Sequence, residues 1–215
     1  MIALVKRSLK ANLQIEAIIL AAGRSRRMGA ANKLMARFGD AALISRIAKR
    51  ALASRASAVS VVLGHQAEQV AAILAPLAIS TIYNADHASG MASSLRAGIE
   101  AVSPNMAGAL ILLGDMPAVE IEHIDRLITR FQEADGKAIV RAISNGVRGN
   151  PVILPRLIFA AVSNLKGDVG ARRLIEDSGL DILDIEIGPA ALIDVDTPAA
   201  LIAAGGILPS TTDHG

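Results

Sequence analysis

From Ile15 onward, short apolar runs alternate with stretches in which apolar residues recur at helical spacing. This is the pattern of parallel strands joined by crossover helices, and it predicts an α/β fold with a mostly parallel central sheet covered by helices on both faces. Strands are expected near residues 15–20, 58–63, 80–83, 109–113 and 138–141, with later ones near 152–154, 181–187 and 192–195. Helices are expected near 43–53, 67–74, 91–102, 121–134, 157–161 and 169–178, and Pro198 opens a last one that Gly205-Gly206 ends.

No internal repeat, low-complexity tract or Pro/Gly-rich linker divides the chain, so one domain over residues 15–206 is expected, with an N-terminal extension over 1–14 and a polar, mobile tail over 207–215. The first segment scatters Lys6, Arg7 and Lys10 among apolar residues and lacks the continuous apolar region of a secretory signal. It reads as a frayed terminus or a linker.

Composition narrows the function. With 52% hydrophobic residues in 215, the chain can bury a full core, and its longest apolar stretch, residues 107–113, is far too short to span a bilayer. A net charge of +2 and an aromatic content of 2% point away from nucleic acid, because neither a polybasic face nor a set of stacking rings is available. Cysteine is absent, which excludes disulfides and thiolate chemistry and fits a reducing, cytoplasmic setting.

Candidate chemistry gathers in separated motifs. Ile18-Ile19-Leu20-Ala21-Ala22-Gly23 runs from a buried strand into Arg24, Arg26, Arg27 and Lys33, a small-residue, cationic loop at a strand's carboxyl end. It matches neither the Walker pattern nor G-x-G-x-x-G. Leu112-Leu113-Gly114-Asp115-Met116-Pro117 delivers a carboxylate to a second strand end. Beside bound phosphates Asp115 needs a hard divalent cation between them, and it stands too early to cap the following helix. Asp194 and Asp196 form a period-two pair that would face one side of a strand. Asp196 also precedes Thr197-Pro198, where it could instead cap a helix. Gly90-Met91-Ala92-Ser93-Ser94-Leu95 opens a helix with small hydroxyl residues at its positive end. His87, lacking a partner in the sequence, reads as structural, and His65, His123 and His214 form no convincing dyad with it.

The run L-A-A-G-x-S-x-R-M-G with its following lysine resembles the signature of molybdenum cofactor cytidylyltransferases, the MobA-like nucleotidyltransferases. G-M-x-S-S-L, D-x-D-T-P, R-G-N-P-V at Arg148–Val152 and G-D-x-G-A-R at Gly167–Arg172 resemble further motifs of that family. Ala92, and Gly39 to Ala42 before Leu43, depart mildly from it. The resemblance implies a three-layer Rossmann-like nucleotidyltransferase fold. It implies nucleotide contacts from Leu20, Ala21, Ala22, Gly23, Arg27, Lys33, Gly64, Ser93, Ser94 and Asp115, with Arg27, Lys33 and Asp115 catalytic. It also implies acceptor contacts from Arg148, Asn150, Asp168 and Arg172, and Mg²⁺ or Mn²⁺ on Asp115 and Asp196. The implied reaction passes CMP from CTP to the terminal phosphate of a molybdopterin-type cofactor, with molybdoenzyme maturation proteins as candidate partners and no membrane or nucleic-acid partner. A guanylyltransferase or another acceptor is the alternative; a dinucleotide-binding oxidoreductase or a non-catalytic cofactor carrier is more remote. If Lys33 lies in an open phosphate loop, its removal should slow the reaction and leave thermal stability almost unmoved.

Overall fold

A computed structural model describes residues 13–28, 32–165 and 172–208. Nine strands are described: β1 (Ile15–Ala21), β2 (Arg37–Phe38), β3 (Ala41–Ala42), β4 (Ala58–Leu63), β5 (Ser80–Tyr83), β6 (Gly108–Leu113), β7 (Ile139–Ser144), β8 (Val147–Pro155) and β9 (Ile182–Glu186). The helices are α1 (Leu43–Ala53), α2 (Ala67–Leu74), α3 (Met91–Ala101), α4 (Ile121–Glu133), α5 (Phe159–Val162), α6 (Arg172–Asp177) and α7 (Pro198–Ala203). Seven strands form one sheet in the order β5-β4-β1-β6-β8-β7-β9, and β2 pairs with β3 in a separate hairpin.

Burial on both sides explains why β1 reads as an unbroken apolar run. Ile15, Ala17, Ile19 and Ala21 enter one core with residues of α1, α2 and α4, while Ile18 and Ala22 enter the other with Leu95 and Ile99 of α3 and Phe159 of α5. Three layers follow. The chain leaves β1 toward β4 and β5 on one side, then crosses to β6 on the other, so the strand order reverses between β1 and β6. Carboxyl ends diverge at such a point and leave a crevice.

Two expectations change. The β7–β8 hairpin turns on Asn145-Gly146, with φ of 49° and 77°, the two positive angles of a type I′ turn. That short link makes β8 antiparallel to both neighbours and extends the strand upstream, so R-G-N-P-V lies within β8 and is not a turn leading into it. Residues 192–195 form no strand. The N–H groups of Leu192 and Ile193 both donate to the Pro189 carbonyl, closing a turn where pairing would have begun. At the chain ends, Gln14 bonds Ala107 and Asn105, and Ile207, assigned above to the tail, exchanges backbone bonds with Arg37. Residues 1–12 and 209–215 lie outside the described residues. No described helix is long and apolar enough to cross a membrane.

The loop after β6 is held from below. Buried Arg50 of α1 donates to the carbonyls of Pro117 (2.6 Å) and Val119 (2.9 Å) and pairs with Glu120. Glu120 is the N-cap of α4 in a reciprocal box with His123, whose Nδ1 accepts from the Glu120 N–H at 3.1 Å. Burial, then the nearby Arg126 charge, lowers the His123 pKa from 6.5. The unfolded chain therefore binds this proton more readily, so the cap's contribution is present above about pH 6.5 and fades as pH falls through the lowered value. His123→Gln keeps an acceptor at this position without titrating. Melting temperatures between pH 5 and 7 should fall less steeply for the variant; an identical slope would remove His123 from the pH response.

Candidate active site

A cleft of about 490 Å³ opens at the carboxyl ends of β1 and β6. Leu20, Ala21, Ala22, Gly23, Arg27, Lys33, Ser94, Asp115 and Asp196 all line it, as the sequence led us to expect. The Gly114 N–H donates to the Leu20 carbonyl at 3.0 Å, and a Cβ at Gly114 would stand 3.1 Å from that oxygen. Glycine here lets the chain after β6 press against the end of β1, which brings Asp115 to the cationic loop.

Asp196 arrives from the far end of the chain. Gly149 of β8 has room only for hydrogen against the turn after β9, since a Cβ would meet the Ala191 carbonyl oxygen at 2.1 Å. From that turn the chain returns to the cleft, where buried Val195 donates its N–H to the Asp115 carbonyl at 3.0 Å. One backbone bond thus fixes the two aspartates relative to one another. Thr197 is the N-cap of α7, its side chain accepting from the Ala200 N–H at 3.1 Å. The capping role open to Asp196 is therefore taken, and its carboxylate turns to the cleft.

Lys33 occupies the space between the carboxylates, 2.5 Å from Asp115 Oδ2 and 2.5 Å from Asp196 Oδ1, and Arg27 also pairs with Asp196. Asn32 orients this lysine by capping the 3₁₀ turn Lys33–Met35 through the Leu34 N–H. Burial opposes the lysine's charge, but Asp115 and then Asp196 outweigh it and raise its pKa. For Asp196, burial is likewise outweighed by Lys33 and Arg27, and its pKa is lowered. Asp194, which also lines the cleft, is pushed the other way by burial and by the Asp196 and Asp115 charges. Lys33 is thus a buried counter-ion, and its loss is expected to cost stability, unlike that of a lysine in an open loop.

Asp115 Oδ1 is buried with no hydrogen-bond partner among the described residues, as is Ser25 Oγ. Ser25 lines the cleft with φ of 47°, an unusual angle for a residue with a side chain and a mark of functional loops. Sequence inspection did not single it out, although its place in L-A-A-G-x-S was a signal.

Other expected site residues fall elsewhere. Ser93 turns inward, bonded to Asn84, Asp86 and Gly90, and does not line the cleft. Gly64 lies behind the wall: a Cβ there would meet His87 Cβ at 2.5 Å and Ala22 Cβ at 2.8 Å. His87, read as structural from the sequence, is hydrogen-bonded through Nδ1 to the Asn84 carbonyl and also lines the cleft. Arg148 and Arg172 converge on Glu176 outside the cleft, with Asn150 two residues along β8 from Arg148. Asp168 lies outside the described residues.

The site thus joins an open α/β crevice, a small-residue loop and two carboxylates that converge on Lys33. The chain belongs to the MobA-like NTP transferase domain family, whose model matches residues 17–182, and it is a nucleotidyltransferase of that family. It is 31% identical over 194 residues to the purine catabolism protein PucB of Bacillus subtilis, covering 84% of this chain and 91% of the relative. It is 26% identical to the molybdenum cofactor cytidylyltransferase of Escherichia coli, over 88% and 95% of the two chains. It is also 26% identical to nicotine blue oxidoreductase of Paenarthrobacter nicotinovorans, over 79% and 86%. In fold it is similar to Rv0371c of Mycobacterium tuberculosis H37Rv in complex with manganese, with a TM-score of 0.76, 23% identity and coverage of 89% and 98%.

Proposed function

We propose that this enzyme transfers CMP from CTP to the terminal phosphate of a molybdopterin-type cofactor. An oxygen of that phosphate bonds to the α-phosphorus, the bond from the α-phosphorus to the α–β bridging oxygen breaks, and pyrophosphate leaves with the electron pair. The acceptor is already ionised near neutral pH, so no side chain has to remove a proton from it. The supporting observation is the convergence of Asp115 and Asp196 on Lys33 beside Arg27, inside a cleft whose wall is the backbone of Leu20 to Gly23.

Asp115 and Asp196 would hold Mg²⁺ or Mn²⁺, and an all-oxygen donor pair with one buried, unpartnered oxygen fits such an ion. When bound, the ion neutralises and polarises phosphate oxygens. Lys33 and Arg27, which line the same cleft, would meet the β- and γ-phosphates, so positioning and charge would carry the reaction. On the acceptor side, Arg148 and Arg172 share a single carboxylate and together can exchange it for a phosphate.

The choice of cytidylyl transfer draws on R-G-N-P-V and on the Escherichia coli relative. Calorimetry with CTP, GTP, ATP and NAD, each with and without Mg²⁺, tests it. CTP should bind tightest and only weakly without the ion. Tighter GTP binding would move the assignment to guanylyl transfer, and tight, metal-independent NAD binding would favour the chemistry named for the Paenarthrobacter relative.

A further inference from the structure

Arg27, Lys33, Asp115 and Asp196 meet in one ion-pair cluster of the cleft, and its lining also includes Arg24 and Asp194 together with small or uncharged residues such as Ala22, Gly23, Ala88, Gly90 and Ser94. His87 lines the same cleft and is held by groups that fix its chemistry. Asn84 is buried; its Nδ2 donates to Ser93 Oγ (2.9 Å) and Ser94 Oγ (3.1 Å), and its Oδ1 accepts from the Asp86 N–H (3.0 Å). The Asn84 carbonyl, immobilised in this way, lies 3.2 Å from His87 Nδ1. A carbonyl oxygen only accepts, so Nδ1 must carry the hydrogen, and the neutral ring is left with a lone pair on Nε2. Because Gly64 lacks a Cβ, the base of the ring seats directly against the end of β4 beside Ala22.

We propose that His87 reads the nucleobase, its Nε2 accepting a hydrogen bond from an exocyclic amino group such as N4 of cytosine. Uracil presents a carbonyl oxygen at the same place, and two acceptors facing one another lose the bond and leave both groups desolvated. The inference rests on the nucleotidyl-transfer assignment above and adds the rule by which this cleft selects among nucleotides: amino over keto. His87 is only partly buried, so the discrimination should be about tenfold and well short of what an enclosed polar pocket achieves.

The test compares CTP and UTP binding by calorimetry at one fixed Mn²⁺ concentration, for the unaltered protein, His87→Phe and His87→Gln. The unaltered protein should favour CTP by about tenfold. His87→Phe keeps a ring without an acceptor and should bring the two nucleotides within about twofold, whereas His87→Gln restores an acceptor oxygen and should keep most of the preference. The ratio is independent of the fraction of active protein, so a partly unfolded variant still reports. A Phe variant that retains the original ratio, or an unaltered protein that binds both nucleotides equally, overturns the role of His87 and leaves nucleotidyl transfer standing. Failure of the unaltered protein to bind either nucleotide overturns both.

Discussion

Asp115→Asn is expected to lower pyrophosphate release from CTP and the molybdopterin-type cofactor by about a hundredfold or more, and to cost less stability than loss of Lys33, because Asp196 still pairs with the lysine. The amide keeps the shape of the carboxylate and can still accept from Lys33, so the contacts that place the loop persist: the Arg50 bonds to Pro117 and Val119 and the Val195 bond to the Asp115 carbonyl. What disappears is one negative charge at the point where phosphates and their counter-ion would meet. Removing a single preorganised electrostatic group from a reacting centre typically costs 10²–10³ in rate, roughly 3–4 kcal/mol. Turnover within a fewfold of the original at saturating Mg²⁺ would reduce Asp115 to a structural anchor for Lys33.

Lys33→Met should act in two places at once. It removes a phosphate contact, which lowers catalytic efficiency by about tenfold or more. It also strips the counter-ion from two aspartates whose side chains are 18% and 27% exposed. Discounted for that exposure, the loss is about 2 kcal/mol, or about 4–8 °C in melting temperature for a domain of this size. Because the folded pKa of Lys33 is raised, its contribution is complete below pH 10.5 and is lost only as pH climbs through the raised value. The lowered pKa of Asp196 sets the acid limit, its share being lost as pH falls below 3.8. At neutral pH the whole effect is therefore visible. Mn²⁺ titrated without nucleotide should bind the variant more tightly than the original protein and recover part of the lost melting temperature, since lysine and metal compete for the same oxygens. Unchanged melting and unchanged Mn²⁺ affinity would show that the pairing seen here does not guard the carboxylates.

The sequence by itself determined the parts whose causes are local. An apolar run followed by Ala21-Ala22-Gly23 is a buried strand opening into a close-approach loop, and Leu112-Leu113-Gly114-Asp115 is a strand end carrying an acid. Both hold in the structure because strand burial and glycine's small size act over a few residues. Asn145-Gly146 was equally local and was passed over, although it is a strong short-range hairpin signal. Tertiary structure decided what no local pattern contains. Residues 192–195 alternate like a strand yet pair with none, and Val195 instead finds the Asp115 carbonyl more than seventy positions away. Asp196 could be read as a helix cap until α7 took Thr197 in that place. Lys33 read as a phosphate contact in an open loop, and its burial was not legible because burial depends on which distant carboxylates converge on it. His87 looked inert for a related reason: its tautomer is set by the Asn84 carbonyl and its place in the cleft by the missing Cβ of Gly64, and pairings of that kind exist only once the sheet has brought the loops together.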